Sequence, residues 1–198
     1  MPIADPRPLD ARAVRTCAAL VAAAGSADPA LPTPCAGWTL ADLVGHLTAQ
    51  HRGFAAAARG DGADLAHWAV RPGDDHAAAA EDVIAAFADD GVLDRDLDLP
   101  EFGPGARFPG ALAVSFHFID YVVHGWDVAR TLGLPYTLDD DLAAPALEVA
   151  LAVPGGDFRT APGAAFAPER PAEPGAGALD RILAHLGRSP GWTAPQNG

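Results

Sequence analysis

The chain has 198 residues, 49% of them hydrophobic, which is enough to bury one substantial core and argues for a single domain with a C-terminal extension. Its 13 basic residues face 26 acidic ones, and a net charge of -13 repels polyanions, so nucleic acid is not an expected partner. The opening Met1-Pro2-Ile3-Ala4-Asp5-Pro6-Arg7 has no basic stretch leading into an apolar one, and no later apolar run reaches the length of a membrane span, so the expected location is cytoplasmic with no membrane partner.

Between Leu9 and Ala24 the residues Val14, Cys17, Ala18 and Val21 recur at helical spacing, and Gly25 follows as a stop; this predicts a first helix. A Pro-rich stretch runs to Gly37-Trp38, after which Thr39-Leu40-Ala41-Asp42 has the Ser/Thr-x-x-acid form of a helix start, predicting a second helix to about Ala58 that stops near Gly60. Asp74-Asp75 can cap a third, Ala-rich helix through about Ala88. Gly91 to Gly110 holds too much Pro, Gly and Asp for a buried element and reads as a long connection with room for a short extended segment. The most apolar segment runs from Pro109 or Gly110 to Leu132, with Gly133 as its stop, and predicts a central fourth helix. Asp139 to Val153 predicts a fifth helix in which Pro145 implies a later start or a kink. Pro154 to Gly177 reads as a crossing loop, and Ala178 to Leu186 as a short last helix.

No internal repeat, heptad seam or strand alternation stands out, so the expected class is all-α and the natural architecture a short-looped helical bundle. Residues 1–153 form that bundle in this reading, and 154–198 supply a Pro/Gly-rich loop and a short helix packed on the same domain. Cys17 and Cys35 are too far apart for a CxxC pair and too few for a disulfide framework; both read as free thiols packed as small hydrophobes.

The chemistry concentrates in Phe116-His117-Phe118-Ile119-Asp120-Tyr121-Val122-Val123-His124-Gly125-Trp126-Asp127. At about 100° per residue, His117, Asp120, His124 and Asp127 share a stripe roughly 80° wide, flanked on both sides by apolar and aromatic residues. An ionisable stripe between two apolar flanks points to a cavity rather than to solvent. Buried carboxylate and imidazole groups need partners, and one divalent cation satisfies several of them together. On spacing alone a hydrogen-bonded network in which Asp120 pairs with His124 or His117 fits equally well. A further ligand from the second helix would be His46 or His51, and periodicity does not choose between them. His51 falls within the apolar arc of Leu40, Leu43, Val44, Leu47 and Phe54, whereas His46 lies at its border.

Two segments carry a family resemblance. Pro34-Cys35-Ala36-Gly37-Trp38-Thr39-Leu40-Ala41-Asp42-Leu43-Val44-Gly45-His46-Leu47 resembles the opening of the mycothiol-dependent maleylpyruvate isomerase N-terminal-like proteins, of the DinB/YfiT-like superfamily, in which that histidine is a metal ligand. Asp120 to Arg130 resembles the second signature, in which a carboxylate or histidine and a histidine four residues later complete the ligand set. Leu179-Asp180-Arg181-Ile182-Leu183-Ala184-His185-Leu186-Gly187-Arg188 is similar to the tail of the short actinobacterial branch.

The resemblance implies a four-helix bundle of DinB/YfiT-like type with additional C-terminal helices. It also implies a metal site of His46, Asp120 and His124 that holds zinc or nickel. It implies mycothiol or a similar low-molecular-weight thiol as co-reactant, with a second small molecule as substrate, for isomerisation or transfer. The alternative is a metal- or small-ligand-binding module without turnover. Asp120 stands where the isomerase has the longer Glu, and the isomerase carries a further substrate-binding domain that 198 residues do not hold. Asp127 matches an acidic position near the isomerase's active centre and is the candidate catalytic residue, able to orient a ligand or take a proton; a plain hydrogen-bonding partner is the competing role. His117 separates an open site from a closed one: as a fourth ligand it would fill the ion's coordination, and as a partner of Asp120 it would leave a position free. The oligomeric state is open, a homodimer being one assembly available to the chain.

Overall fold

Helix α1 (Arg7–Ala23) opens with Pro8 in its first turn, where a missing N–H costs nothing, and buries Asp10, Ala13, Val14 and Cys17 along one stripe. The computed structural model describes residues 3–160 and 166–194, so residues 161–165 of the expected crossing loop lie outside the described residues. Helix α2 (Leu40–Arg59) starts where its capping box requires: Asp42 N–H donates to Thr39 Oγ1 at 3.2 Å, and Thr39 N–H donates to the Asp42 carboxylate at 2.9 Å. It ends at Gly60, whose φ of 90° a side chain would resist. Helix α3 (His76–Phe87) is capped by Asp75, which accepts from Ala78 N–H at 3.1 Å.

The room for a short extended segment between α3 and the next helix is taken up by two short strands. Strand β1 (Asp96–Asp98) pairs antiparallel with β2 (Arg107–Pro109), with Leu97 opposite Phe108. Three residues per strand are too few to reveal a period of two, and the hairpin is held by packing instead. Leu97 and Leu99 are fully buried, each contributing roughly 1.5–3 kcal/mol of apolar burial.

Helix α4 (Gly110–Thr131) is buried on nearly every face, with Phe118, Tyr121, Val122 and Trp126 in the main core. It can begin only with glycine, because a Cβ at position 110 would collide with the Val92 carbonyl. Helix α5 (Asp140–Leu151) starts directly after Asp139 and keeps Pro145 inside it, so the later start implied by that proline is not what forms. Helix α6 (Ala178–His185) packs on α5, and its Ile182 and Leu183 join the main core. α1 packs against α3 and α4, and α2 packs against the same pair, while α5 lies on α4. The fold is thus mostly helical with one small two-stranded sheet. Among the described residues no helix is long and apolar enough to cross a membrane.

Candidate metal centre

The capping box fixes where α2 begins and so sets the angle at which His46, two turns in, faces α4. His46 Nε2 lies 3.9 Å from Asp120 Oδ2, and His124 Nε2 lies 3.3 Å from Asp120 Oδ1. One donor atom from each of the three residues falls within 4.8 Å of the others. The side chains of His46 and Asp120 keep 28% and 24% of their surface accessible, whereas that of His124 keeps 7%. The cluster therefore sits at the rim of the core, with α2 supplying one donor and α4 two.

Behind it stands Asp127, fully buried. His124 Nδ1–H donates to Asp127 Oδ2 at 2.9 Å, which fixes the ring with its Nε2 edge facing Asp120. The same carboxylate oxygen accepts from Arg188 Nη2 at 3.1 Å and from the Cys35 thiol at 3.1 Å. The ring of Trp38 covers the pair, with centroids 4.9 Å from His46 and 6.3 Å from His124, and it lies nearly parallel to the latter.

Electrostatics follow from this arrangement. Burial lowers the His46 pKa to about 4 despite the nearby Asp120, so its imidazole is neutral at pH 7 and free to ligate. Burial also opposes charge on His124, but Asp120 and the hydrogen bonds to Asp120, Asp127 and Cys35 outweigh it and raise that imidazole well above its ordinary value. Burial pushes Asp120 up, and the imidazoles of His124, His46 and His117 overcome it and hold the carboxyl below its usual range. Asp127 is likewise held low, burial being outweighed by the Arg188 guanidinium and by the bonds from His124 and Cys35.

Two imidazoles and a carboxylate converging on one point are a donor set that zinc and nickel both accept. His124 is pre-oriented for that role by a carboxylate on its other nitrogen, the usual support of a ligating histidine.

The ionisable stripe of α4 does not act as one face. His117 turns to α1, where its Nδ1–H donates to Asp10 Oδ1 at 2.7 Å, and its Nε2 lies 3.3 Å from His51 Nδ1. It is thus neither at the donor cluster nor hydrogen-bonded to Asp120. His51 is buried in this second cluster, stacked on Tyr121 and beside His76, whose Nδ1 lies 3.0 Å from Thr48 Oγ1.

Cys17 is packed in the core as expected, its thiol pushed up to about 12 by burial. Cys35 is not the inert hydrophobe expected of it, since it touches Asp127 and lies 3.8 Å from His124 Nδ1. Sequence reasoning also passed over Trp38 and Arg188. All three stand inside the motif segments, and reading those segments residue by residue would have found them. Two surface clefts, of about 290 and 370 Å3, lie away from the donor cluster; Arg12 and Tyr136 help to line one and Arg7 and Phe87 the other.

Residues 11–129, which carry both donor-bearing helices, match the family described as the mycothiol maleylpyruvate isomerase N-terminal domain. Uncharacterized proteins from two strains of Mycobacterium tuberculosis, CDC 1551 / Oshkosh and ATCC 25618 / H37Rv, are each 33% identical over 193 residues, covering 93% of this chain and 98% of theirs. No solved structure matches the chain.

Proposed function

Because the chain belongs to the mycothiol maleylpyruvate isomerase N-terminal domain family, we propose that it is a divalent-metal protein, with His46, Asp120 and His124 holding zinc or nickel, that activates a low-molecular-weight thiol of the mycothiol type for isomerisation or transfer. The observation that carries this reading is the fixed orientation of His124. Its Nδ1 is committed to Asp127, so its Nε2 is left to converge with His46 Nε2 and an Asp120 oxygen. His117 is engaged by Asp10, which supports a three-residue donor set with a position open to a thiol.

His46, Asp120 and His124 would hold the divalent cation, and the chemistry it would supply is Lewis-acid lowering of a thiol's pKa toward neutrality. The protein's own part is orientation and exclusion of water. Asp127 acts through His124 and is a positioning residue; Arg188 keeps that carboxylate charged, and Trp38 packs its ring against the two imidazoles. The same family reading extends to a four-helix DinB/YfiT-like bundle, supported by the mutual packing of α1 to α4. Residues 154–198 are read as an extension of the same domain, supported by the burial of Ile182 and Leu183 in the main core.

Elemental analysis tests the metal: protein purified without chelator carries about one zinc or nickel per chain. The thiol is tested by calorimetry of mycothiol, with 2-mercaptoethanol as a simple analogue, into metal-loaded and metal-free protein in two buffers of different ionisation enthalpy. Tight binding that needs the metal and releases a proton is expected. No metal after purification and no uptake of added zinc or nickel, or equal thiol binding without metal, overturns the reading.

A further inference from the structure

The donor cluster has a second wall, one helical turn along the groove between α2 and α4. On α2 the residue one turn after His46 is Gln50, and on α4 the residue one turn before Asp120 is Phe116. The tip of the β1–β2 hairpin lies across both. Gln50 Nε2 donates to Glu101 Oε1 at 2.6 Å, and the next residue, Phe102, sets its ring 5.3 Å from Phe116 and 5.0 Å from Phe108. Phe108 and Phe116 complete the trio at 5.3 Å. The hairpin can make this turn because Gly103 and Gly105 take φ values of 122° and 71°.

Two properties of this wall point to a ligand. Glu101 turns its carboxylate inward onto Gln50 although the residue as a whole is exposed, and burial together with the charge of Asp120 raises that carboxyl against the Gln50 bond. Phe102 is 50% exposed while packed edge-on and tilted against two other rings, an apolar surface that the fold builds and leaves open beside a carboxylate. The groups that act on the Glu101 carboxyl are Gln50 and Asp120, neither of them cationic, and Arg107 of the same hairpin is paired with Asp98. The cation felt at His46 is Arg188, whose side chain is 9% exposed and already paired with Asp127.

From this juxtaposition we infer that the hairpin tip recognises the second substrate, and that this substrate is an apolar or aromatic compound carrying a protonated amine, not a carboxylate anion. An ammonium group donates a charge-assisted hydrogen bond to the Glu101 carboxylate and makes a cation–π contact with Phe102, two interactions that an anion forfeits and a neutral alcohol gains only in part. The net charge of -13 works in the same direction by enriching cations at the surface. The inference rests on the metal–thiol reading only in calling this ligand the second substrate.

Its test uses three probes of matched shape and different charge: 2-phenylethylamine, 2-phenylethanol and phenylacetate. Each is titrated calorimetrically at about 0.15 M salt, so that diffuse attraction to an acidic surface is screened. Zinc-loaded and metal-free protein are both used, in wild type, Glu101→Gln and Phe102→Ala. Wild type is expected to bind the amine at least tenfold tighter than the alcohol and to bind phenylacetate weakest. Glu101→Gln removes the preference of amine over alcohol, whereas Phe102→Ala weakens both. Circular dichroism and zinc uptake on each variant report that it is folded. Phenylacetate binding as tightly as the amine, an unchanged preference in Glu101→Gln, or no binding of any probe overturns the inference. Amine preference in protein that takes up neither zinc nor thiol refutes the proposed function and leaves this wall as a ligand site; zinc and thiol binding without the preference does the reverse.

Discussion

An Asp127→Asn substitution keeps the shape of the side chain and removes the charge that three donors share. Asp127 Oδ2 accepts from His124 Nδ1 at 2.9 Å, Arg188 Nη2 at 3.1 Å and Cys35 Sγ at 3.1 Å. With the amide in place, the Arg188 guanidinium stays buried beside a neutral group, and removing one partner of a buried pair costs about 3–5 kcal/mol. The same change frees His124 to rotate or to take its other tautomer, and loss of such a supporting carboxylate lowers metal affinity by about 10- to 100-fold. Two assays separate the effects: denaturant unfolding, read as a shift in midpoint at constant slope, and zinc competition against a chromophoric chelator. A double variant, Asp127→Asn with Arg188→Met, sharpens the test. Neutralising both partners should recover part of the stability, because the uncompensated charge is gone, yet leave zinc affinity low, because His124 still lacks its carboxylate. Wild-type zinc affinity in Asp127→Asn, or full recovery of affinity in the double variant, would refute the positioning role.

Three further outcomes are expected. His46→Ala and His124→Ala should each abolish tight zinc binding, while His51→Phe, whose ring can keep the stack on Tyr121, should retain it; loss of zinc in His51→Phe with retention in His46→Ala would reverse the ligand assignment. His51 and His76 are both lowered in the fold by burial, His76 to about 4, so the unfolded chain takes up protons first, near pH 6.5. Their contribution to stability is therefore complete above about pH 6.5 and declines as pH falls toward 4, and His76→Leu should flatten the fall in unfolding free energy between pH 6.5 and 4.5 by up to about 1.4 kcal/mol per pH unit; an unchanged slope would count against it. Gly110→Ala drives a Cβ into the Val92 carbonyl and should cost about 3 kcal/mol or prevent folding, as read by thermal unfolding, and a wild-type midpoint would contradict that packing.

The parts of this molecule that can be read from the chain are those whose cause is local. α2 begins at Leu40 because Thr39 and Asp42 cap it, and ends at Gly60 because only glycine sits easily at a φ of 90°, so both limits are legible in one dimension. Which histidine of α2 reaches the donor cluster is not local. His46 and His51 both meet α4 but at different residues, Asp120 for one and His117 and Tyr121, with His76 of α3, for the other, and an angular pattern on α2 holds no information about its neighbours. The stripe on α4 fails for the same reason. An angle of about 80° groups His117 with Asp120, His124 and Asp127 as long as the helix is taken alone, but α4 is packed on nearly all sides and each side has its own claimant. His117 belongs to Asp10, a residue on the same stripe of α1 as Val14 and Cys17. A carboxylate on an otherwise apolar stripe must find a donor in the core, so Asp10 was the sequence signal that one of the histidines on α4 faced away from the donor cluster.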